Sequence, residues 1–200
     1  MFFLYQIIIS LIILFSPIII IYRIYNDKED KKRFIEKFAI PTKKRGNGKL
    51  IWFHGSSVGE ILSIIPLIKY YEKKNSIKQI LITSSTLSSS KVIKKFKFKK
   101  TLHQFFPIDH LYIVNKFLNH WKPNVAIFVE SEIWPCIFKK INKNNIPLIL
   151  LNARLTKKTF NRWNTMKSFS KTVFDYISLA YPQNYETKNY LKKLDLKKIK

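Results

Sequence analysis

The stretch IWFHGSSVGE, Ile51–Glu60, joins an apolar run to a loop of small residues that ends in a carboxylate. The run Leu50–His54 has the length and composition of a buried strand, and apolar residues recur at helical spacing from Val58 onwards. A strand followed at once by a helix is the unit of a parallel α/β sheet, which binds ligands at the carboxyl ends of its strands. The loop and Glu60 therefore form one wall of a predicted active site.

Short apolar strands and helices alternate along residues 50–200. The predicted strands are Leu50–His54, Gln79–Thr83, Leu102–Phe106, Val125–Val129, Pro147–Leu151 and Tyr176–Ala180. The predicted helices are Val58–Lys73, Ser88–Lys95, Ile113–His120, Trp134–Asn142, Phe160–Phe174 and Glu186–Leu194. Such alternation is typical of an α/β domain with a doubly wound parallel sheet, and this is the predicted fold class.

The amino-terminal run Phe2–Tyr22 carries no charged side chain and is rich in Ile, Leu and Phe. About 20 such residues span the hydrocarbon core of a bilayer. No Lys or Arg precedes the run, and no small-residue cleavage site follows it. The pattern therefore favours an uncleaved, single-pass membrane anchor over residues 1–23, rather than a signal peptide or a buried helix.

Residues 24–49 are predicted to form a basic juxtamembrane helix and a linker. Asp27–Phe38 has the pattern of a short basic amphipathic helix, and Pro41–Lys49 contains two glycines that interrupt regular structure. Positive charge directly after the anchor favours the cytoplasmic side for the following domain and would lie on anionic lipid headgroups. The charges nearest the anchor are Arg23, Lys28, Lys31, Lys32 and Arg33.

The chain is strongly basic, with 37 Lys and Arg residues against 12 Asp and Glu residues and a formal net charge of +25. Such a charge points to polyanionic partners, either nucleic acid or phosphorylated and anionic lipid. A second explanation is that lysines have accumulated on solvated faces, because the chain overuses Lys, Ile and Asn throughout. A nucleic-acid binder would interleave aromatic and basic residues on an exposed face. Here the aromatic residues fall mostly in predicted strands, helix cores and the anchor, so no nucleic acid is expected.

No cofactor and no metal are expected. Cys136 is the single cysteine, which excludes an internal disulfide and a cysteine metal cluster. The four histidines show no metal-ligand spacing. The sequence contains neither a GxGxxG nor a Walker motif, so it indicates no nucleotide cradle of those types.

Polar motifs follow five of the predicted strands. The right-handed crossovers of a parallel sheet bring such loops to one edge. The motifs are Gly55–Glu60, Ser84–Ser88, Pro107 with Asp109, Glu130–Glu132 and Asn152–Arg154. Three carboxylates and an arginine then share a rim with hydroxyls and open amides, and Glu60 could act there as a general base.

Each of these residues also has a plainer structural explanation. Glu60 taken alone is more often a first-turn helix acid. Glu130 and Glu132 alternate, so at most one faces inward if the strand continues through them. The serines could be ordinary loop composition, and Arg154 a structural ion pair. His54 is interpreted as a packed strand-end residue rather than a ligand.

The order of these motifs resembles the 3-deoxy-D-manno-octulosonic acid (Kdo) transferases. The resemblance runs from the anchor to about Leu194, and its residues are HGSSVGE at His54–Glu60, Pro66, ESEIWP at Glu130–Pro135 and NARL at Asn152–Leu155. It implies a Rossmann-like, acceptor-binding domain over residues 50–200, the amino-terminal half of an inverting GT-B glycosyltransferase. It also implies an anchor in the inner membrane, with the domain on the cytoplasmic side.

The resemblance further implies transfer of Kdo from CMP-Kdo to a lipid A precursor, lipid IVA, in lipopolysaccharide core biosynthesis. Glu60 would be the general base that takes the proton of the acceptor sugar hydroxyl. Glu130 or Glu132 would orient that sugar or tune the base. The remaining contacts to the sugar or its phosphates would come from Ser56, Ser57 and Arg154.

The family's second domain, which would bind CMP-Kdo, has no counterpart in these 200 residues. A two-domain member would be roughly twice as long, since domains of this kind have about 150–200 residues. The expected protein is therefore a truncated or split form of the enzyme. The alternative is a catalytically inactive, membrane-anchored module that binds the acceptor lipid and is completed by a partner chain.

Overall fold

The computed structural model describes residues 1–200 and contains one six-stranded sheet in which all paired strands are parallel. The strands are β1 (Leu50–His54), β2 (Gln79–Ser84), β3 (Thr101–Phe105), β4 (Val125–Val129), β5 (Leu148–Ala153) and β6 (Leu179–Pro182). Their order, β3-β2-β1-β4-β5-β6, confirms the predicted Rossmann-like α/β fold. The strand order reverses between β1 and β4, and sheets of this kind bind ligands at that point.

Eight α-helices and one short 3-10 helix accompany the sheet. The α-helices are α1 (Phe2–Tyr25), α2 (Val58–Glu72), α3 (Leu87–Lys95), α4 (Leu111–Trp121), α5 (Pro135–Lys143), α6 (Lys157–Thr165), α7 (Lys167–Asp175) and α8 (Tyr185–Lys193). The 3-10 helix is Phe34–Phe38.

β1 contributes to two apolar clusters, one on each face of the sheet. Leu50 and Trp52 belong to the larger cluster, whereas Ile51 and Phe53 belong to the smaller one. Successive side chains of a strand point to opposite faces, so every residue of this central strand is buried. Burial on both faces explains why parallel strands appear in the sequence as continuous apolar runs.

Three predicted elements are wrong in extent. The amphipathic helix predicted over Asp27–Phe38 is only a 3-10 helix, because the Asp30 carboxylate accepts the amides of Lys32 and Arg33, both at 3.0 Å, and closes a turn there. The helix predicted over 160–174 is divided at Met166, whose ψ of 50° is not helical. The strand predicted from residue 176 begins at residue 179, because residues 176 and 177 still bond to carbonyls of α7.

The division between α6 and α7 has a packing reason. Phe169 at the start of α7 stacks on Trp163 of α6, with ring centroids 6.1 Å apart and an interplanar angle of 21°. Trp163 also meets Phe174 edge-on at 5.4 Å. The turn at Met166 brings these three aromatic rings together.

The apolar helix α1 packs on the domain through its first turns. The Tyr5 hydroxyl donates to Asp109 Oδ2 at 2.7 Å, and the Phe2 ring meets Phe169 edge-on at 5.2 Å. At the other end, Arg23 pairs with Glu29 at 3.1 Å. Most large apolar side chains of α1 are exposed, and its length and composition suit a membrane crossing.

Asp109 also belongs to the start of α5. Its Oδ2 accepts the amide of Cys136 at 3.0 Å, and its Oδ1 accepts the amide of Ile137 at 2.7 Å. The first amides of a helix have no partner within the helix, so a buried carboxylate satisfies them well. One side chain therefore joins α1, α5 and the loop after β3.

Glu36 is fully buried and attaches the segment between α1 and β1 to β3. Its carboxylate accepts two bonds from the Arg33 guanidinium, each 2.9 Å long, the amide of Phe105 at 2.7 Å and the hydroxyl of Thr42. Arg33 in turn donates to the carbonyl of His103 at 2.8 Å. A buried ion pair with a full set of donors fixes this segment on the edge of the sheet.

We expect Glu36→Ala to lower the free energy of unfolding by about 2–4 kcal/mol, since it leaves a partly buried guanidinium without its counter-ion and the buried amide of Phe105 without its acceptor. Urea unfolding of both proteins in the same detergent measures the difference. Glu186→Ala is the control, because that exposed acid loses only a surface bond from Tyr190 and a first-turn charge, and stability should fall by no more than about 1 kcal/mol. Equal effects of the two substitutions would contradict the role of Glu36.

Candidate functional site

The loops after β1, β2 and β4 meet at the carboxyl edge of the sheet. Ser56, in the β1 loop, joins them. Its Oγ lies 2.9 Å from Ser85 Oγ in the β2 loop and donates at 3.0 Å to Glu132 Oε2 in the β4 loop. This meeting point lies where the strand order reverses, at the position where the fold binds ligands.

Glu60 lies in the first turn of α2 and folds back onto the β1 loop. Ser57 is the N-cap residue, and its Oγ accepts the Glu60 amide at 3.2 Å. Glu60 Oε2 in turn accepts the amide of Ser56 at 2.8 Å. The other oxygen, Oε1, makes no hydrogen bond to the protein. Glu60 is therefore an acid in the first turn of a helix, as its plainer explanation predicted. Its Oε1 nevertheless remains free for a ligand at the carboxyl edge of the sheet.

Glu132 is held through a single oxygen. Its Oε2 accepts hydrogen bonds from His54 Nε2 at 3.0 Å, Ser56 Oγ at 3.0 Å and Trp134 Nε1 at 2.9 Å. Burial alone would raise the pKa of Glu132, but the bond and charge interaction with His54 and the bonds from Trp134 and Ser56 outweigh burial and hold this pKa below its ordinary value. The carboxylate is therefore ionised at neutral pH.

Glu130 and Arg154 lie outside this cluster. β4 ends at Val129, and Glu130 has a left-handed backbone with φ of 58°, so strand alternation no longer decides where residues 130–132 point. The Glu130 side chain makes no hydrogen bond. Arg154 is exposed, and it contacts the β4 loop through its carbonyl, which accepts the Ser131 hydroxyl. Of the residues predicted for the site, the structure brings together Glu60, Ser56, Ser57 and Glu132.

Two of the three donors to Glu132 were not predicted as site residues. His54 is fully buried and packs as expected, but its Nε2 also reaches Glu132. Trp134 donates its indole N–H to the same carboxylate. Buried histidine and tryptophan side chains need hydrogen-bond partners, and this requirement was the available signal in the sequence. No group of three or more His, Cys, Asp or Glu side chains is placed to hold a metal ion.

Gly55 permits the close approach of the loop to α2. A Cβ at Gly55 would lie 3.1 Å from Glu60 Cβ and 3.4 Å from Ile61 Cδ1. We expect Gly55→Ala to displace Glu60 and to lower the free energy of unfolding by about 1–3 kcal/mol, as overpacking does elsewhere. Thermal unfolding measures stability, and the amide resonance of Ser56 reports whether its bond to Glu60 survives.

Gly59→Ala is the matched control for this substitution. A Cβ at Gly59 meets only Ser57 Oγ, at 3.9 Å. Because Gly59 is helical, alanine should leave stability unchanged or raise it by up to about 1 kcal/mol. A Gly55→Ala protein as stable as Gly59→Ala, with an unmoved Ser56 resonance, would refute the close-approach argument.

The lowered pKa of Glu132 predicts a pH dependence of stability. A glutamate titrates near pH 4.3 in an unfolded chain, and its folded pKa lies below that value. The stabilisation is therefore full above about pH 5 and is lost as the pH falls through the folded pKa. We expect Glu132→Gln to cost about 1–2 kcal/mol at pH 7 and progressively less below pH 4. Urea unfolding from pH 3 to 7 measures this difference, and a cost that grows towards low pH would contradict the assignment.

Comparison with known proteins places these loops in a known family. The family description "3-Deoxy-D-manno-octulosonic-acid transferase (kdotransferase)" matches residues 32–200. The chain is 40% identical over 153 residues to the probable mitochondrial 3-deoxy-D-manno-octulosonic acid transferase of Arabidopsis thaliana, covering 75% of this chain and 34% of that protein. It is 36% identical over 167 residues to the 3-deoxy-D-manno-octulosonic acid transferase of Rickettsia bellii, covering 84% of this chain and 40% of that protein.

A more distant relative, the 3-deoxy-D-manno-octulosonic acid transferase of Haemophilus influenzae, is 29% identical over 141 residues, which are 70% of this chain and 33% of that protein. The chain thus spans about a third to two fifths of the length of these relatives. The family match includes the loops that carry Ser56, Glu60 and Glu132. Because it covers most of the chain, the protein belongs to the 3-deoxy-D-manno-octulosonic acid transferase family of glycosyltransferases.

Proposed function

We propose that this chain is the acceptor-binding half of an inverting glycosyltransferase that transfers Kdo from CMP-Kdo to a lipid A precursor, lipid IVA. Membership of the family supports the reaction class. One observation carries the assignment to the acceptor-binding half. Ser56 bonds to two carboxylates, Glu60 through its amide and Glu132 through its hydroxyl, at the point where the strand order reverses. Each carboxylate keeps one oxygen without a protein partner.

Glu60 acts as the general base in this proposal. A hydroxyl oxygen of the acceptor sugar attacks the anomeric carbon of Kdo, and the bond between that carbon and the CMP phosphate breaks. The hydroxyl proton passes to Glu60, so the products are the Kdo-bearing lipid, CMP and a protonated glutamate. The amide of Ser56 holds Glu60 Oε2, which leaves Oε1 to receive the proton.

The other rim residues bind the acceptor lipid. Glu132 accepts a sugar hydroxyl through its free oxygen, and the exposed Arg154 can reach a phosphate of the disaccharide. Ser56 already bonds to both neighbouring loops, so it positions the carboxylates. Ser57 is occupied as the helix cap. Glu130 lies beyond the cluster and would meet the ligand only if the ligand extends along the rim.

The apolar helix and the basic surface suit a substrate that is itself a membrane lipid. We place α1 in the inner membrane as a single-pass anchor, with the domain on the cytoplasmic side, because basic residues directly follow the helix. In that position the first turn of α1 lies across the bilayer and no longer makes the contacts of Phe2 with Phe169 and of Tyr5 with Asp109. The net charge of +25 would attract the anionic headgroups and the phosphates of the acceptor lipid. Both features raise the local concentration of the lipid substrate at the rim.

CMP-Kdo would be bound by a donor domain, in the part of the relatives that this chain does not match. These 200 residues match 34% and 40% of the Arabidopsis thaliana and Rickettsia bellii relatives, and transfer in this proposal needs the half that they do not match. In the alternative, the chain is an inactive module that binds the acceptor lipid, and a partner chain supplies the donor domain. By itself, the 200-residue chain should bind lipid IVA without transferring Kdo.

A chimera tests this function. Residues 32–200 would replace the matching segment of the Rickettsia bellii relative, and Kdo transfer from CMP-Kdo to lipid IVA would be followed by mass spectrometry in detergent. We expect Glu60→Gln to slow transfer by about 10²–10⁴-fold, because the base is lost, with little change in the affinity for lipid IVA. Glu186→Gln, on an exposed helix, is the control and should leave the rate unchanged.

Two results would oppose the proposal. Unaltered transfer by Glu60→Gln would exclude this residue as the base. Full Kdo transfer by residues 1–200 alone would show that the chain is not an acceptor half. If the chimera does not fold, binding of residues 1–200 to lipid IVA in nanodiscs, compared with nanodiscs of neutral lipid alone, decides whether the chain recognises the acceptor.

A further inference from the structure

His54 is fixed in orientation by its packing. It is the last residue of β1 and is fully buried. Its ring stacks on Phe106, with centroids 3.6 Å apart and an interplanar angle of 15°, and meets Phe128 edge-on at 5.0 Å. A ring held by two aromatic neighbours at the end of a central strand cannot turn without disturbing the core.

The hydrogen bonds of His54 determine which nitrogen donates to Glu132. Nδ1 lies 3.0 Å from Thr83 Oγ1, and Nε2 lies 3.0 Å from Glu132 Oε2. Thr83 Oγ1 accepts the indole N–H of Trp52 at 2.9 Å, and its own proton can go either to Nδ1 or to the Phe53 carbonyl, 3.4 Å away. An ionised carboxylate can only accept, so the neutral ring carries its proton on Nε2, beside Glu132.

The imidazolium form gives the same result at Glu132. In that form Nδ1 donates to the Thr83 carbonyl, 3.2 Å away, and Nε2 still donates to the carboxylate. The remaining tautomer would turn the lone pair of Nε2 towards an ionised carboxylate and is disfavoured. A buried series of bonds, from Trp52 through Thr83 to His54, thus directs one N–H at Glu132.

His54 differs from the other two donors to Glu132 because it belongs to the sheet. Trp134 lies two residues from Glu132 on the same loop, so it moves with the carboxylate. Ser56 lies in a loop, and its hydroxyl can turn instead to Ser85 at 2.9 Å. β1 pairs with a strand on each side, so of the three donors only His54 bonds the Glu132 side chain to the rigid sheet.

We infer that His54 is a positioning residue, which holds Glu132 through Nε2 so that Glu132 Oε1 stays free to accept a hydroxyl of the acceptor sugar. All three donors converge on Oε2, and no protein group bonds to Oε1. The Glu132 side chain is 16% exposed, which is enough for a ligand to reach it. The identity of the hydroxyl rests on the proposed function, whereas the arrangement of His54 and Glu132 does not.

A pair of substitutions separates the two ring nitrogens. In His54→Gln the side-chain amide reaches the place of Nε2, so it can still donate to Glu132. In His54→Asn the shorter amide reaches only the place of Nδ1. The readout is the pKa of Glu132, measured by ¹³C NMR of its carboxyl carbon in residues 1–200 in micelles and assigned by loss of the signal in Glu132→Gln.

We expect the pKa of Glu132 to stay below its ordinary value in the wild type and in His54→Gln. In His54→Asn it should rise by about one unit, a tenfold change in proton affinity. A purely structural role of His54 predicts equal shifts in the two variants. Equal shifts, or an unmoved Glu132 in His54→Asn, would overturn the inference.

A ¹H–¹⁵N spectrum of the His54 imidazole in the wild type provides a second measurement if His54→Asn does not fold. The inference predicts a proton on Nε2 of His54 wherever Glu132 is ionised. An Nε2 without a proton beside an ionised Glu132 would overturn it. Failure of the wild type to bind lipid IVA would instead oppose the proposed function, and it would not alter the outcome of the NMR experiment.

Discussion

β1 is buried on both faces and paired on both edges, and the rest of the structure depends on this constraint. The strand cannot shift without exposing Trp52 on one side or Phe53 on the other. Its last residue, His54, is therefore held in the most rigid part of the molecule. The polar loops at the carboxyl edge differ in backbone conformation, but the loop that carries Glu132 contacts a strand end that cannot move.

Much of the fold could be predicted because buried strands appear in the sequence as runs of apolar residues. Leu50–His54 and Val125–Val129 have the same bounds in the prediction and in the structure, since strands buried on both faces are continuous apolar runs. The common edge of the loops followed from the parallel arrangement of the strands. The break at Met166 could not be predicted, because no proline or glycine marks it and aromatic packing between distant residues decides it.

The site was predictable as a set of loops but not as a set of contacts. Sequence spacing could not distinguish Glu130 from Glu132, because the choice depends on a left-handed backbone at a residue that is neither glycine nor asparagine. The bond between His54 and Glu132 joins residues 78 positions apart. No local sequence pattern predicts such a contact. The sequence therefore could not show that a histidine packed in the core also donates a hydrogen bond to a carboxylate of the site.

The carboxylate of Asp109 has a further consequence. It accepts the Tyr5 hydroxyl of α1 and the first two amides of α5, the helix that begins directly after Trp134. If α1 slides or tilts, either the hydrogen bond between Tyr5 and Asp109 breaks or the start of α5 moves together with α1. Any movement of α1 would thus be transmitted mechanically, through one buried side chain, to the loop that holds Glu132.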